Sequence, residues 1–103
     1  MNSFSFFFRP EKVYELSLKA LEQKKYDVIA IDEMKRTIVA KQKSTWIRPE
    51  VELQIYIHTI TEQQTKVEVN SIMKKKGKSI EGKSLAGQQF FQSLFNCFDH
   101  LAP

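Results

Sequence analysis

The residues best suited to chemistry lie in one stretch, 77–84, which reads GKSIEGKS. It matches the phosphate-binding pattern G-x-x-x-x-G-K-[ST], with Gly77 and Gly82 in the glycine positions. In such a site, backbone N–H groups at a helix N-terminus hold the phosphates. Lys83 would then reach the outer phosphate oxygens, and Ser84 would hold Mg²⁺. The pattern raises a nucleotide-binding hypothesis.

The surrounding sequence argues against that hypothesis. A phosphate-binding loop follows a buried parallel strand, which is almost continuously apolar, whereas the strand pattern before residues 73–76 alternates. The apolar run 28–33 ends in two acidic residues and resembles a metal-holding strand, but it lies upstream instead of downstream. The chain after Ser84 is too short for the crossovers of a parallel sheet. We therefore expect no nucleotide hydrolysis.

The same region is rich in lysine, and this has two interpretations. The cluster could contact a phosphate backbone or an anionic membrane, or it could be a solvated segment at the end of a sheet. The net charge of +4 is too small to indicate nucleic acid by itself. We favour the solvated segment, because runs of lysine are usually solvated. The lysines are Lys74, Lys75, Lys76, Lys78 and Lys83.

Catalytic and metal-binding patterns are scarce. His58 and His100 lack the spacing of a metal site, and Cys97 has no third group to orient a Cys97–His100 pair. We expect Cys97 to be a buried core residue, and we expect neither an enzyme nor a cofactor. Trp46 and Arg48 have the composition of an interface hot spot, although Trp46 could equally form a lid over the core.

These residues must be positioned by a sheet built around residues 50–72. Apolar side chains alternate with polar ones along 51–58 and again along 66–70, and a short polar stretch, 61–64, joins the two runs. This pattern predicts an antiparallel hairpin with one buried face and one exposed face. Tyr56 and His58 fall on the exposed face among acidic neighbours. They are candidate contacts for a protein partner and a poor platform for nucleic acid.

The remaining segments predict two helices and further strands. Residues 3–8 form either an edge strand or a Phe-rich docking tail, and Pro10 opens a helix. Strands are predicted over 26–32 and 37–43, followed by a basic loop over 73–79 and a last helix over 85–101. On that helix a broad apolar stripe repeats at helical spacing. Its members are Phe90, Phe91, Leu94, Phe95, Phe98 and Leu101.

The predicted order is β-α-β-β-β-β-α, a four- or five-stranded antiparallel sheet with two helices on one face in an α+β architecture. This order resembles the TATA-binding-protein-like or helix-grip arrangement. The arrangement occurs in small bacterial domains and in the repeats of a lipoprotein of the outer-membrane β-barrel assembly machinery. The resemblance covers the whole chain and implies a fold, without a functional motif. Some helix-grip proteins hold an apolar ligand between the sheet and the C-terminal helix, and this chain could do so in the same place.

Composition limits the class of protein. With 103 residues, 42% hydrophobic, the chain is expected to form one globular domain. We expect a cytoplasmic protein, because the sequence contains no apolar run of transmembrane length, its first residues lack a signal-peptide pattern, and its single cysteine fits a reducing compartment. The leading hypothesis is a non-enzymatic binding or scaffolding domain whose partner is another protein or a second copy of itself.

Overall fold

The computed structural model describes residues 2–42, 50–75, 78–82 and 85–99. These residues form six strands and two helices, which confirms the predicted α+β class. The elements in chain order are β1 (Asn2–Phe6), α1 (Pro10–Gln23), β2 (Asp27–Asp32), β3 (Thr37–Gln42), β4 (Glu50–Thr61), β5 (Gln64–Lys75), β6 (Lys78–Gly82) and α2 (Leu85–Asp99).

All the strands belong to one antiparallel sheet in the order β1-β5-β4-β3-β2, with β6 also paired to β5. Strand β1 pairs with residues 65–69 of β5, and β6 pairs with residues 71–75, so the two follow one another along the same side of β5. At the opposite edge lies β2. The predicted loop over 73–79 is wrong, because backbone pairing continues to Lys75 and resumes in β6.

The β4–β5 hairpin forms the centre of the sheet, as predicted. Ile55 and Ile57 of β4 lie opposite Val69 and Val67 of β5, and all four are buried. Both helices pack on this side, which we call the covered face. The alternate residues point to the opposite side, the open face. Burying one face of an antiparallel sheet in this way fixes its register, because a slip of one residue would exchange the two faces.

Helix α1 begins at Pro10, as predicted, where the missing N–H of proline costs nothing. Its buried side chains recur at helical spacing and pack into the core. The helix ends in a Schellman motif, in which the Tyr26 N–H donates to the Leu21 carbonyl and the Lys25 N–H donates to the Glu22 carbonyl. Lys25 takes the left-handed conformation that this turn requires, with φ of 61°. The turn sends the chain directly into β2.

Helix α2 covers the other end of the sheet with aromatic rings. Phe91 and Phe98 are buried, as predicted for the apolar stripe, whereas Phe95 is partly exposed and Leu101 lies outside the described residues. The rings of β1 lie beneath this helix: Phe4 is 4.7 Å from Phe91 and Phe6 is 4.8 Å from Phe98, centroid to centroid. Strand β1 is therefore an edge strand, as the first of the two interpretations predicts: Phe6 is buried against α2, and Phe4 contacts α2 while remaining 46% exposed.

Candidate functional site: the β2 edge of the sheet

The open face carries a hydrogen-bonded row of polar side chains. Gln54 stands at its centre: its Oε1 accepts hydrogen bonds from the Tyr56 hydroxyl at 3.2 Å and from Asn70 Nδ2 at 3.3 Å. Its Nε2 donates to Glu52 Oε2 at 3.0 Å. The structure thus places Tyr56 on the open face, with its hydroxyl engaged within the sheet.

The carboxylates of β4 and β5 on the open face are also matched by cations. His58 Nε2 lies 3.7 Å from Glu68 Oε1, and Lys66 Nζ lies 3.2 Å from the same oxygen. Two further cross-strand pairs join neighbouring strands on this face, Lys41–Glu52 at 4.0 Å and Lys74–Glu50 at 3.9 Å. Such half-exposed pairs stabilise the sheet only modestly. They leave the face close to neutral, which does not favour a phosphate backbone as its ligand.

The phosphate-loop residues fall partly outside the described part of the chain. Of the candidate residues, Gly77, Lys83 and Ser84 lie outside it, and so do Trp46 and Arg48. Gly82 is described as the last residue of β6, opposite Ser71. The backbone over 78–82 is extended and paired with β5, whereas a phosphate-binding loop curls its N–H groups around the anion. Nucleotide binding therefore gains no support from the described backbone.

The space between the sheet and α2, where an apolar ligand would sit, is occupied by aromatic rings. Phe8 is 4.4 Å from Phe98, and Phe4 is 5.2 Å from Phe95, centroid to centroid. Cys97 is only 3% exposed, with its Sγ 3.6 Å from Gln23 Oε1. Cys97 is therefore a core residue, as predicted, and its burial raises the pKa of the thiol. His100 lies outside the described residues, which contain no cluster of potential metal ligands.

A cleft of about 430 Å³ lies at the N-terminal end of α1. Arg36, in the turn between β2 and β3, lines it and donates to Glu11 Oε1 at 3.0 Å and to Thr59 Oγ1 at 3.1 Å. Arg9 and Glu62 complete its charged lining. Because acidic and basic groups balance and the Arg36 guanidinium already has two acceptors, we interpret the cleft as a structural junction between α1, the β2–β3 turn and the β4–β5 hairpin.

Strand β2 differs from every other strand whose burial is described, because all six of its residues are exposed. Val28, Ile29 and Ile31 remain 39%, 52% and 46% exposed. Nothing in the described sheet pairs with the outer side of β2. An edge strand with free backbone groups is a template for pairing with another chain, and most proteins blunt it with charges or a cover. In β2, three large apolar residues are exposed at the edge of the sheet.

The pairing with β3 divides the side chains of β2 between the two faces. Val28 and Ile31 lie opposite Ala40 and Ile38 and therefore belong to the covered face. Asp27 and Asp32 lie opposite Lys41 and Thr37 and belong to the open face. The register shifts between Val28 and Ala30, which makes Ile29 the extra residue of a bulge.

Three carboxylates accompany this apolar strand: Asp27, Asp32 and Glu33. Within the described residues, none of them forms an ion pair, in contrast to the paired carboxylates of β4 and β5. Asp32 Oδ1 accepts hydrogen bonds from the backbone N–H groups of Met34 and Lys35, both at 3.1 Å, which shapes the turn. The β2 edge is thus apolar and acidic at once.

Helix α1 only partly overhangs this edge. Tyr14 and Leu18 are half-buried and lie one turn apart on the helix. Burial and, to a smaller extent, the negative charge of Glu33 raise the pKa of Tyr14. A shallow cleft of about 160 Å³ opens there, lined by Tyr14 and Glu33 among others. The cleft also contains the charged Glu11 and Arg36, so α1 contributes an aromatic ring, Tyr14, together with charged groups beside the turn that follows β2.

Sequence reasoning identified β2 as a strand but not as the exposed edge. Its four consecutive apolar residues, 28–31, are typical of a strand buried on both faces, and Asp32 and Glu33 drew an interpretation as metal ligands. The signal that could have identified the edge is the pair Asp27 and Asp32 at the two ends of the run, since charges at strand ends are common on unpaired edges.

Among the described residues, no helix is both long enough and apolar enough to cross a membrane. No protein-family model matches the chain, and no curated protein sequence matches it.

Proposed function

We propose that this chain is a small non-enzymatic binding domain that recognises another protein by accepting an extra strand at β2. The observation that carries the proposal is that all six residues of β2 are exposed, three of them large and apolar, beside a covered face that is otherwise well packed. Contiguous exposed apolar surface of this kind marks interaction sites. Strand addition also uses the free backbone groups of an edge, which supply affinity without a pocket.

The open face and the cleft at α1 are less suited to a partner than the β2 edge, because their polar side chains are already engaged. On the open face, Gln54 and the matched ion pairs already satisfy the polar side chains of the sheet. In the cleft at α1, Arg36 is engaged by Glu11 and Thr59. A partner at either place would have to displace internal contacts before making its own, whereas no described strand occupies the outer side of β2.

Site-specific photo-crosslinking in cells tests the proposal. A photoreactive amino acid would replace Ile29, the exposed residue of the bulge, or, as a matched control, Glu15 on the exposed side of α1. We expect a discrete protein adduct from position 29 and none from position 15. The adduct should disappear when Ile31→Lys is added, because an ammonium group on the covered face at the edge opposes strand pairing. Circular dichroism and melting temperature would verify that each variant folds.

Two results would contradict the proposal. Adducts of equal yield from positions 29 and 15 would indicate random collision, and an adduct that survives Ile31→Lys would place the partner elsewhere on the surface. Absence of any adduct from position 29 in folded protein would remove strand addition at β2 as the function.

We infer further that the arrangement is similar to the TATA-binding-protein-like or helix-grip fold of small bacterial domains, on the order of its elements. The short strand β6 is an addition to that order. The proposed compartment is the cytoplasm, where a single buried thiol such as Cys97 remains reduced. Neither inference adds a catalytic residue, and both are compatible with a binding role.

A further inference from the structure

We propose that the strand accepted by β2 is an extended segment of the pattern basic–apolar–any–apolar–basic, with lysine or arginine at its two ends. The proposal rests on the proposed function, strand addition at β2, and specifies the chemistry of the partner. It follows from how the side chains of β2 are divided between the two faces of the sheet and from which of them lack partners.

The face of each β2 residue sets the pattern of the added strand. Residues directly opposite one another in neighbouring strands lie on the same face. With Ile29 excluded as the bulge, the sequence along β2 reads open, covered, open, covered, open for Asp27, Val28, Ala30, Ile31 and Asp32. An added strand therefore places its second and fourth residues beside Ile31 and Val28, and its first and fifth beside the two aspartates.

The second and fourth residues of the added strand meet an apolar surface. They would cover the exposed parts of Val28 and Ile31 on the covered face. Burying such surface is favourable by roughly 25 cal/mol for each Å² removed from water. Branched aliphatic residues suit these two positions, since they also favour the extended backbone.

The first and fifth residues meet negative charge. The carboxylates of Asp27 and Asp32 have no ion-pair partner among the described residues, and Glu33 adds a third charge at one end of the strand. Opposite charges directly across two strands are favourable, and like charges are unfavourable. Charge complementarity therefore selects lysine or arginine at the two ends and rejects acidic residues.

The same charges disfavour a second copy of this chain as the occupant. Two β2 strands paired antiparallel about a two-fold axis, with Val28 opposite the Ile31 of the other copy, place Asp27 opposite Asp32 at both ends. That arrangement sets two pairs of like charges against each other at a strand edge. A basic-ended segment has no such conflict.

A peptide titration tests the proposal with the whole chain. The probe is a fluorescently labelled, end-blocked peptide containing Lys-Ile-Thr-Val-Lys, followed by fluorescence anisotropy. One control contains Ile-Lys-Thr-Lys-Val, which has the same composition but exchanges the two faces, and a second replaces both lysines by glutamate. We expect saturable binding of the probe alone, with affinity weakening as the NaCl concentration is raised about tenfold, because the contacts to the aspartates are exposed and therefore screened.

Variants of the protein provide the second arm. Asp27→Asn combined with Asp32→Asn should weaken binding about five- to tenfold, as expected for two exposed ion pairs, while the amide oxygen introduced at position 32 can still accept the turn hydrogen bonds. Glu15→Gln, the matched control on α1, should leave the affinity unchanged. Equal binding of the permuted or glutamate peptide, or unchanged affinity in the doubly substituted variant, would overturn the proposed partner chemistry.

The two proposals fail in different ways. If the photo-crosslinked adduct at position 29 forms while none of the peptides binds, strand addition stands and the basic–apolar pattern is wrong. If the adduct is a second copy of this chain, and sedimentation shows a dimer that Ile31→Lys dissociates, the occupant is the chain itself and the partner chemistry is overturned. If there is neither adduct nor peptide binding, both proposals fall.

Discussion

The two edges of the sheet are both rich in apolar residues, yet one is closed and the other open. At the β1 edge, Phe6 is only 6% exposed and its ring stacks on Phe98. At the β2 edge, Ile31 is 46% exposed although it lies opposite the fully buried Ile38. Both side chains point to the covered face. The difference therefore lies in what the helices place above them.

Helix coverage explains the contrast between the edges. Helix α2 presents rings that reach beyond the central strands to β1, where they bury Phe6 and contact Phe4, which stays 46% exposed. Helix α1 places its buried stripe over the middle of the sheet, and it also bonds to α2, where Ser93 Oγ donates to Gln23 Oε1 at 3.2 Å. The composition of a strand alone does not determine whether an edge is protected. Protection also depends on the size and direction of the helix side chains that lie above the edge.

The largest expected effect is on the closed edge. Phe6→Ala removes a buried ring from between β1 and α2 and should lower the free energy of unfolding by about 3 kcal/mol or more. The matched change on the open edge, Ile31→Ala, should cost only about 0.5 kcal/mol, because much of that side chain is already in water. Urea denaturation followed by circular dichroism measures both.

Equal losses in the free energy of unfolding for Phe6→Ala and Ile31→Ala would show that Phe6 and Ile31 are equally buried, and the difference between the two edges would be wrong. If Phe6→Ala does not fold, Phe6→Leu provides a milder change, and its loss should still exceed that of Ile31→Ala.

A smaller effect on stability is expected from loss of the hydrogen bond between β5 and the segment that follows β1. Buried Thr65 donates from Oγ1 to the Phe8 carbonyl at 2.8 Å. Thr65→Val keeps the shape and leaves that carbonyl without its donor, so the free energy of unfolding should fall by about 1 kcal/mol. Thr59, the partner of Thr65 across the hairpin, is exposed. Thr59→Val removes only the solvent-exposed hydrogen bond from Arg36, which water can replace, so it should change stability by less than about half as much. If urea titrations show a larger loss of stability for Thr59→Val than for Thr65→Val, the hydrogen bond from Thr65 does not stabilise the β1 edge.

The smallest effect concerns the rate at which Cys97 is modified. Burial raises the pKa of its thiol, and access is blocked as well, so reaction with a thiol reagent at a mildly alkaline pH of about 8 should be slow in the folded protein. Phe6→Ala should accelerate the reaction by loosening α2, whereas Ile31→Ala should not. A matching acceleration by Ile31→Ala would mean that the open edge also holds α2 in place.

The local sequence pattern was sufficient to predict most of the helices and strands and to assign side chains to the two faces of the central hairpin. The alternation along residues 50–72 correctly predicted which side chains of the hairpin are buried, and Pro10 correctly marked the start of α1. The period of apolar residues is a local property and can be read from a short window. The return of the chain into β6 was missed, because its lysines and glycines are typical of a loop.

The position of β2 at the edge could not be read in the same way. Its run of Val28, Ile29 and Ile31 is equally compatible with a central strand, since side-chain type reports burial only when the neighbours are known. Strand order depends on contacts between distant segments, such as β1 with β5, and no single window contains both. The candidate binding surface is a product of that order.

The pairing of β1 with residues 65–69 also sets when the molecule can fold during its synthesis. Strand β1 is synthesised before its neighbour β5 and can pair with it only after the β4–β5 hairpin has been made. Its phenylalanines remain uncovered until α2, residues 85–99, has followed. Contacts between such distant segments slow folding and prolong the exposure of apolar side chains. Phe6, which is buried in the folded protein, is therefore available to a chaperone during translation until α2 has been made.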